Sequence, residues 1–323
     1  MLKEFIRFAR PFTLVAPVLG VMSGALTAWG SRHSLRSSFG WDELSLIGIA
    51  ALAAGLLNAA SNGVNQIYDL EIDRINKPNR PLVRGAITLR QAFAFTAILY
   101  LVSVAMTWWI VPWPQVSWWE RTWLPLRHHE CIWFYLIAAA LTLVYSVPSL
   151  GRTKRLTLGA NLTISIPRGW LLKVAGWSVL ASVWHLEPWY IGFIFFLFLI
   201  GAASTKDFSD IEGDLAGGCR TLPGRFGVAK AAWMIAPCFV IPWLLIPLGV
   251  WLEVDGSPIL SGDPVLLLIF GLSLLIWGSY TVYLILRDPE ALSRVENHPS
   301  WKHMYLMMFW AQVGFAASYL IRL

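Results

Sequence analysis

The sequence predicts an all-α polytopic membrane protein, with nine transmembrane helices around a central cavity and the N-terminus in the cytoplasm. Three observations carry this reading. The 323 residues are 57% hydrophobic and only 14% charged, with 19 tryptophans and a mean hydropathy of +0.59, too apolar for an ordinary soluble domain of this length. Nine apolar runs of roughly transmembrane length follow one another. The basic residues alternate from side to side of those runs.

The first run, 12–30, follows Lys3, Arg7 and Arg10 and carries no convincing cleavage site, so it reads as a transmembrane helix rather than a signal peptide. The next two are 44–66 and 89–112. The loop 112–130 is rich in Trp and amphipathic, suited to the membrane interface where indoles prefer to sit. Runs 131–149, 157–184, 188–208, 228–251, 264–286 and 303–321 complete the set. Alternate loops hold Lys3, Arg7, Arg10, Arg74, Lys77, Arg80, Arg84, Arg90, Arg152, Lys154, Arg155, Lys206, Arg220, Arg225, Lys230, Arg287, Arg294 and Lys302, eighteen of the 25 basic residues. The opposite loops hold only Arg32, Arg36, Arg121 and Arg127. The positive-inside rule therefore places the first set in the cytoplasm, in a bacterial-type inner or plasma membrane.

No linker divides the chain, and residues 1–323 read as one domain of two weakly repeated halves, about 1–150 and 151–323. The net charge of +6 suits anionic headgroups or an anionic substrate, and no nucleic-acid module is visible. Cys131, Cys219 and Cys238 have neither disulfide nor zinc spacing.

Two acidic elements end long apolar runs: Asn65-Gln-Ile-Tyr-Asp69-Leu-Glu-Ile-Asp73 and Lys206-Asp207-Phe-Ser-Asp210-Ile-Glu-Gly-Asp214. On a helix, Asn65, Asp69 and Asp73 fall at i, i+4, i+8 and Asp207, Asp210 and Asp214 at i, i+3, i+7, so each set shares one face. Acids this dense beside a membrane require neutralising cations, and each face is a candidate Mg²⁺ site. Two such faces suggest a shared, highly charged ligand such as a diphosphate. Both elements lead, within about seven residues, to an Arg and a Leu/Pro pair: Arg80-Pro-Leu after the first, Arg220-Thr-Leu-Pro after the second.

These motifs resemble the paired Asp-rich signatures of the UbiA superfamily of intramembrane prenyltransferases. Arg10-Pro-Phe-Thr-Leu before the first helix and Tyr145-Ser-Val-Pro-Ser-Leu-Gly-Arg-Thr-Lys154 after the fourth add to the likeness. The latter is similar to the family's Tyr-Ser-x-Pro-Pro-x-(Arg/Lys)-x-Lys loop, with one extra residue and Ser149 for the second Pro, which leaves open whether Arg152 or Lys154 takes the basic role. The wording around Asp69 looks closest to homogentisate prenyltransferases, chlorophyll synthases and geranylgeranylglyceryl phosphate geranylgeranyltransferases. The resemblance covers essentially the whole chain. It implies that Mg²⁺, two ions by charge arithmetic, bridges Asn65, Asp69, Asp73, Asp207, Asp210 and Asp214 to a prenyl diphosphate donor. The prenyl group would pass to an aromatic or lipid-like acceptor within the bilayer. Arg10, Arg74, Lys77, Arg80, Arg84, Tyr145, Arg152, Lys154, Arg168, Lys206 and Arg220 are then the substrate-binding candidates.

Each reading has a plainer competitor. A charge cluster at a helix end is commonly a solvated loop, but two matched clusters argue against it. Glu71 and Glu212 lie off the Asp faces. Arg168 and Lys173, in Ile-Pro-Arg-Gly-Trp-Leu-Leu-Lys, fall inside an apolar run and need a cavity or a partner. Asn161, in Gly-Ala-Asn-Leu-Thr, reads equally as an interhelical hydrogen bond or as an acceptor contact. His128, His129, His185, His298 and His303 read as surface residues. A cation-coupled transporter is the alternative function, since paired intramembrane acids in a repeat also suit ion coupling. A lipid phosphotransferase of the CDP-alcohol type would require an Asp-Gly-x-x-Ala-Arg arrangement that this chain lacks.

Overall fold

Each of the nine apolar runs contains a helix in the computed structural model, which describes residues 1–113, 116–295 and 298–322. A short helix, α1 (Leu2–Ala9), precedes α2 (Val15–Gly30), α3 (Trp41–Tyr68), α4 (Leu70–Asn76), α5 (Leu89–Met106), α6 (Trp118–Arg121) and α7 (Glu130–Ser146). Then come α8 (Thr157–Ser165), α9 (Leu172–Trp177), α10 (Leu186–Ala202), α11 (Ile211–Ala216), α12 (Leu222–Phe226), α13 (Val228–Ile235) and α14 (Ile241–Trp251). The helices α15 (Pro264–Leu286), α16 (Ala291–Arg294) and α17 (Pro299–Leu320) end the chain. A two-residue hairpin, Glu253–Val254 with Ser257–Pro258, is a small departure from the all-α expectation.

Among the described residues, six helical segments are long and apolar enough to cross a membrane: Pro11–Gly30, Trp41–Tyr68, Leu89–Trp109, Leu186–Phe208, Val228–Trp251 and Pro264–Leu286. Three of the nine expected spans are different in kind. The helix α7 is shorter, and α17 carries Lys302, His303 and Gln312 along its length. The run expected as one helix over 157–184 is broken. Pro167 lacks the donor that an α-helix needs, and Ile166–Leu171 forms a π turn between α8 and α9. The helix then ends at Trp177, and the chain from Ser178 to Val183 is buried and irregular. Its polar groups find partners: Glu130 accepts from the Ser182 hydroxyl at 2.8 Å and from the Val183 N–H at 2.9 Å.

The helices close into a ring. The helix α2 packs on α3, α3 on α7, α7 on α8, α8 on α10, α10 on α14, α14 on α15, α15 on α17 and α17 again on α2. Within it, α9 packs against α2, α7 and α10. An apolar cavity lies between α2, α3, α7 and the π turn, lined by Leu57, Phe134, Tyr135, Leu171 and Arg168 among others.

Small residues set the closest approaches, as expected where lipid supplies no hydrophobic drive between helices. A Cβ on Gly176 would sit 2.5 Å from the Val21 carbonyl oxygen, and one on Gly24 would sit 2.7 Å from that of Lys173. Gly176→Ala must push α9 off α2 and should cost about 1–3 kcal/mol. Gly48, where an added Cβ meets nothing within 4 Å, is the control. The expected outcome, read as detergent-state melting temperature, is a clear drop for Gly176→Ala and none for Gly48→Ala. Equal melting temperatures would show that the α2–α9 contact does not limit stability.

Candidate active site

The first acidic element straddles a helix break. The helix α3 ends at Tyr68, Asp69 leaves helical geometry at φ −103°, ψ 13°, and α4 starts at Leu70. The i to i+4 backbone bonds nevertheless continue through it. Asp69 N–H donates to Asn65 O (2.9 Å), Asp73 N–H to Asp69 O (2.7 Å) and Lys77 N–H to Asp73 O (2.8 Å). Asn65, Asp69 and Asp73 therefore keep their common face across the break.

The second element repeats the break with different surroundings. Asp210 takes φ −106°, ψ 9°, nearly the geometry of Asp69, and caps α11 as Asp69 caps α4. Asp207 lies in a 3₁₀ segment, Ala203–Phe208, so Asp207, Asp210 and Asp214 do not share one α-helical face as expected. The tighter 3₁₀ turn advances each residue further round the axis than α-helical spacing does.

The two elements meet. The helices α4 and α11 pack so closely that a Cβ on Gly213 would lie 2.2 Å from the Asn76 side-chain oxygen. Lys77, from the first element, pairs with Asp210 of the second at 3.4 Å. The loop after α7 enters between them. Arg152 sits at φ 42°, a left-handed conformation uncommon for a side chain this large. Its guanidinium donates to Tyr68 O at 2.9 Å and Asp69 Oδ1 at 3.0 Å. Lys154, 7% exposed, donates to the same Asp69 oxygen. Both candidates for the basic role thus reach Asp69. Lys154 also lies within electrostatic reach of Asp73, Asp207 and Asp214, acids of both elements.

Other cations complete the neutralisation. Arg80 binds Asp73, and Lys206 pairs with Asp207 at 3.2 Å. Asp69, Asp73 and Asp207 are buried, at 5%, 5% and 7% exposure. Burial, with Asp207 nearby, pushes the Asp214 carboxyl up to about 7, and burial raises that of Asp73 against the opposing pull of Arg80. Among the described residues no three His, Cys, Asp or Glu side chains converge as a metal-ligand set. Ammonium and guanidinium groups stand at the carboxylates instead.

The apolar cavity reaches Ser61, one turn of α3 before Asn65. Arg168 lines it, exposed on the widened π turn and without a hydrogen bond or ion pair among the described residues. It lies within electrostatic reach of Arg10, Tyr100 and Tyr145. Tyr145 in turn senses Lys206, Asp207 and Asp69. Arg10, left-handed at φ 57°, stands near Arg80, Arg168 and Asp73. A polar stripe on α3 holds that segment in place, and it went unread in the sequence. Asn58 donates to Thr13 O (3.0 Å), Asn62 to Ala9 O (3.0 Å) and Gln66 to Phe8 O (2.7 Å). The i, i+4, i+8 spacing of amides in an apolar helix was the available signal.

Several candidates stay outside this cluster. Arg74 pairs with Glu71 on the surface, Arg84 with Glu4 of α1, and Arg225 lies over Phe226 beside Thr157. Arg220 is exposed and is held through its backbone to Arg155 and Thr157. Lys173 is buried against Ser23 (2.6 Å) and the rings of Phe195 and Phe315. Asn161 makes an interhelical bond to Ser204 at 2.7 Å. His129 is no surface residue: it is fully buried, stacked on Trp108 at 4.0 Å, with Trp108 O and Leu124 O at its ring nitrogens.

Comparison with known proteins agrees with this architecture. A digeranylgeranylglyceryl phosphate synthase of Methanoculleus marisnigri is 30% identical over 250 residues, 76% of this chain and 77% of its own. A homogentisate phytyltransferase of Synechocystis is 27% identical, covering 88% of this chain and 87% of its own. Among solved structures, a UbiA homologue from Archaeoglobus fulgidus superposes with a TM-score of 0.69 at 19% identity, over 98% of this chain and 100% of that one. The same kind of homologue bound to GPP and Mg²⁺ gives 0.65 at 17% identity, over 97% and 99%. The transporter alternative gains no support from these relatives. The UbiA prenyltransferase pattern matches residues 18–313, and with its two helix breaks, paired acid elements and apolar cavity the chain belongs to the UbiA prenyltransferase family, as an integral membrane enzyme.

Proposed function

We propose that this chain transfers a prenyl group from a prenyl diphosphate, bound with Mg²⁺ between the two acid elements, to an acceptor that carries an anionic group. The carrying observation is the pairing of Lys77 with Asp210 while Lys154, bonded to Asp69, reaches the acids of both elements. Each element brings its own acids and cations to one shared place, and a ligand held there touches both.

The residues fit Mg²⁺ by their chemistry. They offer hard carboxylate oxygens, with the Asn65 amide oxygen alongside, and burial, then the neighbouring Asp207, raises the Asp214 carboxyl, so a cation bound there would stabilise its charged form. Asn65, Asp69, Asp73, Asp207, Asp210 and Asp214 would hold the metal, two ions bringing +4 against a diphosphate of about −3. Mg²⁺, when bound, offsets the charge that gathers on a departing diphosphate. Lys77, Arg80, Arg152, Lys154 and Lys206 would exchange their carboxylate partners for diphosphate oxygens as donor binds. Leu57, Phe134 and Leu171 line the cavity below and keep water from the prenyl carbon as its C–O bond breaks. Arg168, unpaired there, would receive the acceptor's anionic group, with Arg10 and Tyr145 beside it. A phosphate-bearing lipid precursor and an aromatic acid, the acceptor classes suggested by the relatives' names, both supply such a group. In this arrangement the nine helical segments all cross the bilayer, the N-terminus and acid elements face the cytoplasm, and the matched breaks at Asp69 and Asp210 mark two related halves.

Incubation of purified protein with Mg²⁺, radiolabelled geranylgeranyl diphosphate and a panel of phosphate-bearing and aromatic acceptors tests this. Label should enter one lipid product. A bound donor with no labelled product from any acceptor of either class would overturn the assignment.

Three further outcomes are expected. Asp69→Asn and Asp210→Asn should each lower kcat/KM by at least about 10²-fold, as for loss of one strong contact in a preorganised site. The more exposed Asp210 variant should keep its melting temperature, and near-normal turnover in both would remove the acids from the mechanism. Because Asp214 holds its proton up to about pH 7, Mg²⁺ must displace it. The stabilisation by Mg²⁺ plus a non-hydrolysable donor should therefore grow from about pH 6 to about pH 8 and then level off. The raised carboxyl favours the folded apo protein at low pH, and that contribution fades as pH rises through 7, so the apo melting temperature moves the opposite way. Asp214→Asn should flatten the ligand effect, and an unchanged pH profile in that variant would exclude Asp214 as its source. Finally, Arg168→Lys keeps the charge but not the planar, two-pronged donor set. It should raise KM for the acceptor and leave that for the donor, whereas unchanged kinetics for both would return Arg168 to a structural role.

A further inference from the structure

The end of the bundle opposite the acids contains a second cavity, polar and of about 380 Å³, that the prenyl-transfer site does not use. The helix α3 alone separates the two ends by about 42 Å. Arg36, Ser37, Ser38, Asp42, Glu43 and Arg121 supply its polar lining, with Val116, Ser117 and Trp118. Two arginines dominate it, at 8% and 1% exposure. Arg36 Nη1 donates to Asp42 Oδ2 at 2.8 Å and to Glu43 Oε1 at 3.0 Å, and its Nη2 lies 3.5 Å from Trp113 O. Arg121 Nη2 donates to both Asp42 oxygens, at 3.1 and 2.9 Å, its Nε donates to Val116 O at 3.2 Å, and its guanidinium lies 4.4 Å over the Trp118 ring.

The charges balance, two arginines against two acids, but the hydrogen bonds do not. Among the described residues, Arg36 Nε and Arg121 Nη1 are buried without a partner, as is the Trp113 indole nitrogen. A buried donor left unmade costs about 1–3 kcal/mol, more when charged, so two on adjacent guanidiniums call for an acceptor. The cavity also presents the exposed Ser37 and Ser38. The surplus is one of donors from several directions, which a multi-oxygen anion answers better than a single carbonyl. The neighbouring indoles give the depth. Trp41 is 83%, Trp119 71% and Trp123 70% exposed, and exposed indoles on a membrane protein settle at the level of the lipid headgroups.

We propose that this cavity binds the phosphodiester of a membrane phospholipid, gripped by Arg36 and Arg121 at the end of the bundle remote from the acid elements. Asp42, a third exposed along its side chain, faces the same space and would meet a headgroup amine where the lipid has one. Bound there, the lipid would tie the loop after α2 to the loop before α7 through one shared headgroup.

Hydrogen exchange of the full chain in detergent, without added Mg²⁺, tests this with three probes: dihexanoyl phosphatidylglycerol, the matched dihexanoylglycerol without phosphate, and inorganic phosphate. The phospholipid should slow exchange in 34–44 and 116–123, whatever it does at the acid end, and the diacylglycerol should not. Arg36→Lys and Arg121→Lys, which keep charge and lose the planar fork, should each weaken that protection about tenfold in apparent affinity. If these variants fail to fold, the three probes on the wild type still decide. Equal protection by inorganic phosphate would make it a free-anion site and overturn the lipid assignment. Equal protection by the diacylglycerol would make it an apolar contact, and no protection by any probe would leave Arg36, Asp42, Glu43 and Arg121 as a structural ion-pair network only.

Discussion

Carboxylates at the ends of apolar helices must be neutralised, and in this protein the second acid element is neutralised partly by the first. Lys77 pairs with Asp210, and Lys154, bonded to Asp69, reaches Asp207 and Asp214. The Lys77–Asp210 pair is part-exposed, with 34% and 22% of its side-chain surface open, so it contributes modestly, up to about 1 kcal/mol. Together with the close packing of α4 on α11 it helps hold the two elements in register. Gly213 admits Asn76 at the point of contact, and the break at each Asp lets α4 and α11 turn toward each other.

The same requirement explains why so much polar chemistry sits inside an apolar bundle. The amides of Asn58, Asn62 and Gln66 are spent on carbonyls of the N-terminal segment, which places Arg10 beside Arg80 and Asp73. Glu130 is spent on the irregular chain that caps α9, and His129 on two carbonyls. Against this background of satisfied groups, those left open stand out. Arg168 in the central cavity and the spare donors of Arg36 and Arg121 at the far end are cations with unused capacity.

The likeness to a solved UbiA homologue at 19% identity with a TM-score of 0.69 shows that the fold is kept by very different sequences. Any apolar side chain of suitable length serves toward lipid. At the small residues of the helix crossings a Cβ would meet backbone, so a larger side chain there must push the helices apart.

Much of this was legible in the sequence because its causes are local. Apolar length located a helix in each of the nine runs, the dense acids marked where the charged groups cluster, and the spacing of Asn65, Asp69 and Asp73 held because i to i+4 bonding runs through the break. What failed also had local causes that were visible but unweighed: Pro167 turned a helix into a π turn, and the 3₁₀ segment took Asp207 off the expected face. Which cation meets which acid was decided only by tertiary structure. Arg74 and Lys77 are three residues apart, yet one pairs on the surface with Glu71 and the other crosses to Asp210. Arg152 and Lys154 could not be ranked from the loop's wording because the folded loop brings both to one oxygen of Asp69. By itself the sequence determined the membrane class and the residues that would need neutralising, since burial and charge are properties of side chains. Partner choice belongs to the packing of helices far apart in the chain, where a displacement of a few ångströms changes which pair forms.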